Sequence, residues 1–492
     1  MKKLANKLTA PVPALPVDLF RIAAGLVVLG YLIRLFLDAQ DFHSPLAIID
    51  HQLGLGIFPF TWQPLSMGQA PLWLFYLLFS LAVLATLSLI AGIRPKLSAL
   101  IAYIIVVCTL RHRFLVISVD DVICHLLLFW LILLPSGSTL ALFSRKGSNW
   151  RQATVPGATV RLLGVNIAIL YLVAGLTKWS SPMWLHGDAL YTVLKLRPGY
   201  FSEVLTPAHL WFLRPLNYAA LVLEPCLAII PFLPLFSRLK YFLGLVLIVL
   251  HLGIIATLDV PFANLGCLAF LPILFHREIG ARFTSTTGQR SHATRLGHRD
   301  VFAAAVVFFI AGAMLSSVTQ VNWRKPTSEN QVLAEADRGE TSETVGGIEQ
   351  KVFFGGLWCV GLIQQYRLLD WIDDRNFHVS LSVEETSSQG SIVHPETDFV
   401  PGSMRGSLTL AYLAGATWLP VPRDQLLTLR RSIHSRLAHR FARRVQGEAD
   451  IRVVATIQRI NPSKPSPPRG LVLTSFHCSN GTVSNHLMNL DL

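Results

Sequence analysis

Three ionisable residues lie within or at the end of long apolar segments. Glu224 is in the middle of one segment and is followed by Pro225, and His251 is in the middle of the next. Lys178 ends an earlier segment, in the sequence YLVAGLTKWSSPMWLHGDAL. An ionisable side chain at the centre of a bilayer costs at least about 2.5 kcal/mol, so it usually faces the bundle interior and has a partner there. Lysine, glutamate and histidine in such a setting can accept and donate protons.

The same residues also have purely structural explanations. Glu224 and His251 can act only as hydrogen-bonding groups between neighbouring helices. Lys178, at a helix end, can extend its ammonium group to the membrane surface without doing chemistry. Position alone favours this explanation for Lys178 and leaves the choice open for the other two residues.

A second polar cluster lies between two short apolar segments, Leu97 to Leu110 and Val122 to Leu134. Because these segments are short for membrane spans, the charges between them are expected to reach below the lipid headgroups. Arg113 with Asp120 or Asp121 would form a charge-neutral cluster at the outer face of the membrane. An ordinary exposed loop of mixed charge is the alternative.

The composition indicates a membrane protein. Of the 492 residues, 52% are hydrophobic and 14% are charged, whereas about 25% are charged in an ordinary soluble protein. The formal charge of +13, from 42 Lys and Arg against 29 Asp and Glu, is expected to lie in basic cytoplasmic loops rather than in a nucleic-acid site. The cysteine spacing excludes a CxxC site. No phosphate loop, dinucleotide fingerprint or HExxH motif is present, so the sequence indicates neither a nucleotide nor a metal.

Nine apolar segments are predicted to span the membrane. They are Leu19 to Leu37, Leu72 to Ile93, Leu97 to Leu110, Val122 to Leu134, Leu162 to Thr177, Leu216 to Leu235, Tyr241 to Leu258, Pro261 to Phe275 and Val301 to Ser317. With nine spans, the basic residues between them fall on one side, which the positive-inside rule makes cytoplasmic. The N-terminus is then cytoplasmic and the region after the last span is extracytoplasmic.

The sequence therefore predicts an all-α polytopic membrane bundle in residues 1–318, a polar linker in 319–349 and a small extracytoplasmic α+β domain in 350–492. Strands are predicted at Phe377 to Val383, Leu408 to Leu413, Ile451 to Ile460 and Leu471 to Phe476, and a basic helix at Arg423 to Arg444. The helix has a solvated or headgroup-binding basic face, and the first loop, with Asp41 and Asp50, is expected to be solvated. Cys359 and Cys478 could form a disulfide, which one pair does not establish.

The segment around Lys178 resembles the HTTM domain, the membrane module of vitamin K-dependent gamma-carboxylase and its bacterial relatives. The matching residues there are Ala174, Gly175, Lys178, Trp179, Trp184 and Gly187. Three further features are similar to the family: Arg21, Ile22 and Gly25 in the first span, the Asp120–Asp121 pair before the fourth, and Glu224 followed one helix later by the mid-span His251. Together these features extend from Asp18 to Phe275.

The resemblance implies a chemistry. In the animal enzyme the matching lysine deprotonates reduced vitamin K, so Lys178 would be the base, with Glu224 and His251 organising its pocket. Trp179 and Trp184 would shield Lys178 and line the quinone pocket, to which Asp120, Asp121 and Arg113 would also belong. The implied cofactor is a reduced quinone of the vitamin K type. The implied partners are the lipid bilayer, that quinone and an exported peptide or protein substrate.

Two other classes of function stay open. One is a non-enzymatic membrane scaffold whose exported C-terminal domain binds a partner. The other is a proton-coupled transporter, in which Glu224 and His251 would relay protons. Transporters often contain repeated halves, and no such repeat is visible in this sequence.

Overall fold

The computed structural model describes residues 9–44, 47–50, 53, 70–112, 114–142, 151–283, 297–319, 377–395, 400, 404–413, 423–445, 447–460, 462, 467–479 and 482–488. Its N-terminal part is a helical bundle, and its C-terminal part is a separate domain built on an antiparallel sheet. The predicted linker falls outside these residues.

Helices make up almost all of the bundle. They are α1 (Leu15–Leu37), α2 (Ala39–His43), α3 (Leu72–Ala91), α4 (Pro95–His112), α5 (Val119–Leu133), α6 (Gly157–Lys178), α7 (Pro182–His186), α8 (Ala189–Lys195), α9 (Leu210–Cys226), α10 (Arg238–Thr257), α11 (Pro261–Ala269), α12 (Leu271–Leu274), α13 (His276–Phe283) and α14 (His298–Thr319). Short 3-10 helices cover Phe114–Val116, Pro207–His209 and Leu227–Phe232. The shared core consists of apolar side chains from α1, α3, α4, α5 and α6, with contributions from later helices.

The prediction of a multi-pass membrane protein is confirmed in its coarse form. Five helical stretches among the described residues are long and apolar enough to cross a bilayer: α1, α3, α6, Pro207–Phe232 and α10. The pair Pro261–Leu274 and His276–Phe283, bent by 53°, would make a sixth. Nine spans are not confirmed. Every predicted segment overlaps a helix, but the 15-residue α5 and the apolar part of α4 are short, and α14 is not among the candidate spans of the described residues.

Contacts between chain segments define two ends of the bundle. At the first end, β1 (Val12–Pro13) pairs with β2 (Thr154–Val155), and Asp18 accepts hydrogen bonds from Thr139 after α5. We call this the N-terminal end, because α1 and α6 both begin there. At the other end, where α1 finishes and α11 begins, Arg34 lies 3.6 Å from Asp259.

The C-terminal domain contains a five-stranded antiparallel sheet with two helices. Its strands are β3 (Phe377–Ser387), β4 (Gly390–Pro395), β5 (Glu448–Arg459), β6 (Arg469–Ser479) and β7 (Thr482–Met488), and its helices are α15 (Met404–Leu413) and α16 (Arg423–Ala442). The strand order is β4-β3-β5-β6-β7. Residues 453 and 454 of β5 face a β-bulge in the pairing with β6, and α16 packs on β6 and β7.

This domain docks onto the bundle end where α1 finishes, which we call the docking end. Its apolar core includes Phe42 and Ile48 from the first loop and Leu115 before α5. Salt bridges surround this contact: Arg436 of α16 lies 2.8 Å from Asp50, and Arg440 lies 2.5 Å from Asp41. The expectation of a solvated acidic first loop and a solvated or headgroup-binding basic helix is therefore corrected, because at these positions the two bind each other.

Most predicted elements of the C-terminal domain are present, and one is wrong. The strand predictions at Phe377 to Val383 and Leu471 to Phe476 fall within β3 and β6, and the prediction at Ile451 to Ile460 extends one residue beyond β5. Leu408 to Leu413 is instead part of helix α15, whose residues 405, 406, 409 and 410 include buried positions at helical spacing. Cys478 is buried, and Cys359, its suggested disulfide partner, lies outside the described residues.

Candidate functional site

Lys178, the last residue of α6, is buried and has a partner inside the bundle. Its ammonium group lies 2.8 Å from a carboxylate oxygen of Glu224 in α9, and the two side chains are 4% and 12% exposed. The ammonium also donates a hydrogen bond to the carbonyl of Ala174, at 2.9 Å. A lysine that only reached for the interface would not be buried and paired in this way.

A close approach of two helices brings this pair together. Gly175 of α6 lies against Pro225 of α9, and a Cβ atom on the glycine would lie only 2.5 Å from the proline ring. Any larger residue at 175 would push the helices apart. Pro225 directly follows Glu224. The Gly175–Pro225 contact therefore also fixes the position along α6 at which the Glu224 carboxylate meets Lys178.

The two predicted tryptophans differ in their environment. Trp184 is buried, and its ring centroid lies 5.5 Å from the Lys178 ammonium group, which is a cation–π geometry. Asn217 of α9 donates a hydrogen bond to the Trp184 carbonyl at 2.8 Å and thereby fixes this segment. Trp179 is 40% exposed, and its indole donates to the Leu221 carbonyl at 3.1 Å. Shielding of Lys178 therefore comes from Trp184, and Trp179 lies at the bundle surface.

His251 has partners other than Glu224. Its Nδ1 lies 2.7 Å from the side-chain oxygen of Asn264, and its Nε2 lies 2.8 Å from the hydroxyl of Tyr171. The Asn264 amide nitrogen donates to the Val260 carbonyl, which orients the amide oxygen towards His251. This network assigns the proton to Nδ1, so Nε2 accepts from Tyr171. Glu224 and His251 could have been direct partners. In the structure Glu224 pairs with Lys178 instead.

The aspartates before the fourth predicted span have structural partners. Asp120 accepts a hydrogen bond from the backbone N–H of Ala263, at 2.6 Å. Asp121 caps α5 through Ser118 and accepts a hydrogen bond from Tyr31, and its carboxylate lies 2.7 Å from Arg405 of the C-terminal domain. The predicted partner, Arg113, lies outside the described residues. Arg405 provides the positive charge in the described structure.

Sequence reasoning missed several residues of these networks, among them Tyr171, Asn264 and Arg405. Tyr171 precedes Lys178 by two helical turns and shares its face of α6, a spacing that could have revealed it. Asn264 lies one helix after His251, and Arg405 is in a different domain, so neither has a local signal in the sequence. Both become recognisable only when the helices are packed.

The described residues contain no group of three or more His, Cys, Asp or Glu that could hold a metal ion. The site instead consists of a buried Lys–Glu pair, a tryptophan face and a neighbouring Tyr–His–Asn network. The chain matches no protein-family model, no curated protein and no solved structure.

Proposed function

We propose that this protein is a multi-pass membrane enzyme of the HTTM type that deprotonates a reduced quinone, with Lys178 as the base. The single observation that supports this proposal is the buried Lys178–Glu224 pair, with 2.8 Å between nitrogen and oxygen. The resemblance around Lys178 supplies the quinone as the class of substrate. The exported peptide or protein substrate of the animal enzyme is not needed for this step.

The pair has a simple way to produce a base. In this proposal the two groups share one proton, and the pair is neutral overall whether that proton is on Lys178 or on Glu224. When Glu224 holds the proton, Lys178 carries a lone pair and can accept the O–H proton of a quinol. The resulting ammonium group would be adjacent to Trp184 and to the new quinolate anion, which stabilise it. A two-electron oxidation of the quinolate by oxygen would then give the quinone and a hydroperoxide anion. The hydroperoxide would take the proton from Lys178 and leave as hydrogen peroxide, which restores the pair.

The surroundings of the pair support a substrate that is dissolved in the membrane. Glu224 is partly exposed at the side of the bundle, and Leu176, Trp179 and Val222 nearby in α6 and α9 are exposed apolar side chains. Tryptophan at such a surface is typical of the level of the lipid headgroups. A quinol headgroup can therefore approach the pair laterally from the bilayer, without a water-filled channel.

The Tyr171–His251–Asn264 network would hold the position of the pair. His251 lies close enough to Glu224 and Lys178 to interact with their charges. With its Nδ1 proton held by Asn264, the ring stays in one orientation beside the pair. His251 is a positioning residue in this proposal, and Glu224 is the proton partner of the base.

We place this site on the extracytoplasmic side, with the N-terminus in the cytoplasm. Lys178 ends α6, which begins at the N-terminal end of the bundle. At that end Lys96 lies near Arg299, and Arg161 lies near Arg277, so cations gather there. The positive-inside rule supports a cytoplasmic location for these residues. Nine membrane crossings would then place the C-terminal domain on the opposite side of the membrane.

The experiment measures oxygen consumption by purified full-length protein supplied with a menaquinol-type substrate. Wild type should consume oxygen. Lys178→Arg should abolish consumption, because a guanidinium group does not give up its proton near neutral pH. Lys178→Ala should be equally inactive, with partial rescue by a small external amine.

A second buried pair provides a matched control. Lys240 lies 2.9 Å from Glu278, and the two side chains are 1% and 5% exposed. Lys240→Arg therefore introduces the same change into a similar setting, and it should lower stability as much as Lys178→Arg while leaving oxygen consumption intact. Activity in Lys178→Arg, or loss of activity in both variants, would contradict the role of Lys178. A wild type that is inert towards reduced menaquinone and reduced vitamin K would contradict the proposed function.

A further inference from the structure

A groove of about 400 Å³ opens on the outside of the bundle between α10 and the broken segment formed by α11–α13. Its lining is apolar and includes Tyr241, Leu245, Ile248, Leu271, Pro272 and Phe275. Tyr241 and Leu245 are exposed apolar residues on a helix long enough to span the membrane. The groove is therefore open at the surface of the described residues, on a helix that is expected to contact lipid chains.

The shape of the groove depends on one glycine. A Cβ atom on Gly244 would lie 2.6 Å from the ring of Phe275, so only glycine allows this ring to lie directly against α10. Tyr241 also stacks on Phe275, with ring centroids 5.9 Å apart. The two aromatic rings thus form the wall of the groove nearest the N-terminal end of the bundle, and aliphatic residues line the remainder. From Tyr241 to Ile248 the helix rises about 10 Å.

Cations gather where the groove meets the N-terminal end of the bundle. Lys240 precedes Tyr241, and it is buried and bound to Glu278. Arg277 is exposed, follows Phe275 by two positions, and lies near enough to Lys240 and Arg161 to interact electrostatically with both. Arg238 is exposed in the first turn of α10. Glu278 is bound to Lys240, so its negative charge is already compensated. The charges of Arg238 and Arg277 therefore remain as a net positive charge at the mouth of the groove.

We propose that this groove binds an anionic phospholipid, with one acyl chain along α10 and the phosphate at Arg277 and Arg238. The apolar wall matches the chain, and the positive excess at the mouth matches the phosphate and the net negative charge of the headgroup. A zwitterionic lipid would bring its own cation to a corner that is already positive. The occupant is a lipid from the surrounding membrane, and the site is independent of Lys178.

The test is a native mass-spectrometry titration of the purified full-length protein in detergent. Phosphatidylglycerol and phosphatidylcholine with identical acyl chains are added in parallel. Wild type should retain phosphatidylglycerol preferentially, in a one-to-one complex. The double variant Arg238→Gln/Arg277→Gln should lower this preference about thirtyfold. Ile248→Phe, which fills the groove without changing charge, should weaken binding of both lipids.

The matched control removes two cations from the same end of the bundle at a distance from the groove. Arg94→Gln/Lys96→Gln loses the same charge at exposed positions, one just before α4 and one in its first turn, and it should retain the wild-type lipid preference. Equal effects of the two double variants would show a general surface attraction and overturn the proposal. The proposal would also be overturned if wild type retained the two lipids equally. It would be overturned as well if the molecule that wild type retains were a neutral prenyl lipid. A melting temperature within a few degrees of wild type confirms that the variants are folded.

Discussion

Arg405 of the C-terminal domain lies 2.7 Å from Asp121 of the membrane bundle, across 284 residues of sequence. Both side chains are buried, and Asp121 also accepts hydrogen bonds from Tyr31 and from the backbone of Ser118. Asp38, at the end of α1, is 3.3 Å from the same guanidinium group. One arginine thus joins the C-terminal domain to the ends of two bundle helices.

Removing Arg405 should detach the C-terminal domain. Arg405→Met leaves Asp121 charged and buried without this partner, a change that costs about 3–5 kcal/mol for a broken buried pair. Hydrogen exchange should therefore rise at Leu115–Ile117 and on α15, where the two parts meet. The measurement is hydrogen–deuterium exchange on the purified protein.

Arg436→Gln is the control for this prediction. Its pair with Asp50 is partly exposed, so the loss should be at most about 1 kcal/mol, and exchange at the interface should change little. Similar exchange in the two variants would mean that Arg405 does not hold the domain in place.

A double-mutant cycle distinguishes the observed ion pair from a Glu224–His251 partnership. Glu224→Gln and Lys178→Met should each lower the melting temperature, because each leaves a buried group without its partner. The double variant should lose clearly less than the sum, by an interaction energy of about 1–3 kcal/mol. Glu224→Gln with His251→Ala should be closer to additive, because His251 bonds to Tyr171 and Asn264. Stronger coupling to His251 than to Lys178 would contradict the geometry.

The positions of the helices in the bundle followed from the sequence because apolar length is a local property. Every predicted span coincides with helix, but the number of true crossings does not follow, because short segments such as α5 lie near the limit of bilayer thickness. The strand predicted at Leu408 to Leu413 was wrong because a short apolar run suits both a strand and a buried helix face.

The candidate site was only partly predictable for a different reason. Lys178, Glu224 and His251 could be selected because each is an ionisable residue in an apolar segment. Their partners depend on helix packing, which placed Lys178 against Glu224 at the Gly175–Pro225 contact and gave His251 to Asn264. Arg405 lies in a polar region far along the chain, where an arginine is an ordinary residue and does not indicate a buried partner.

Acid should destabilise the C-terminal domain through His434. Burial, together with the nearby charges of Arg430 and His486, lowers the pKa of His434 to about 4 from its usual 6.5. The folded domain therefore favours the neutral ring. The resulting contribution to the stability of the domain is fully present above pH 6.5, and it is lost as the pH falls towards 4. With about 1.4 kcal/mol per pKa unit, the full loss is on the order of 3 kcal/mol.

The check is the melting temperature of the domain between pH 7.5 and 4.5. His434→Gln should flatten the part of the curve below pH 6.5. His477, which is partly exposed and bonded to Asp450, provides the control, and His477→Gln should keep the wild-type slope. An unchanged slope in His434→Gln would assign the acid sensitivity to other groups.

The two ends of the bundle predict where the loop after α13 and the C-terminus lie. α13 packs against β1 at the N-terminal end, where Gly280 touches Pro13, whereas the C-terminal domain packs at the docking end through Arg440 and Asp41. An accessibility tag inserted at residue 285 should therefore report the cytoplasm, and a tag after residue 492 should report the exterior. A third tag in the loop between α5 and α6 should agree with the tag at 285, because β1 pairs with β2 there. The measurement is labelling by a membrane-impermeant thiol reagent in intact cells and in lysed cells. If the tags at 285 and 492 report the same side, the two ends of the bundle do not face opposite sides of the membrane, and the site at Lys178 has to be placed again.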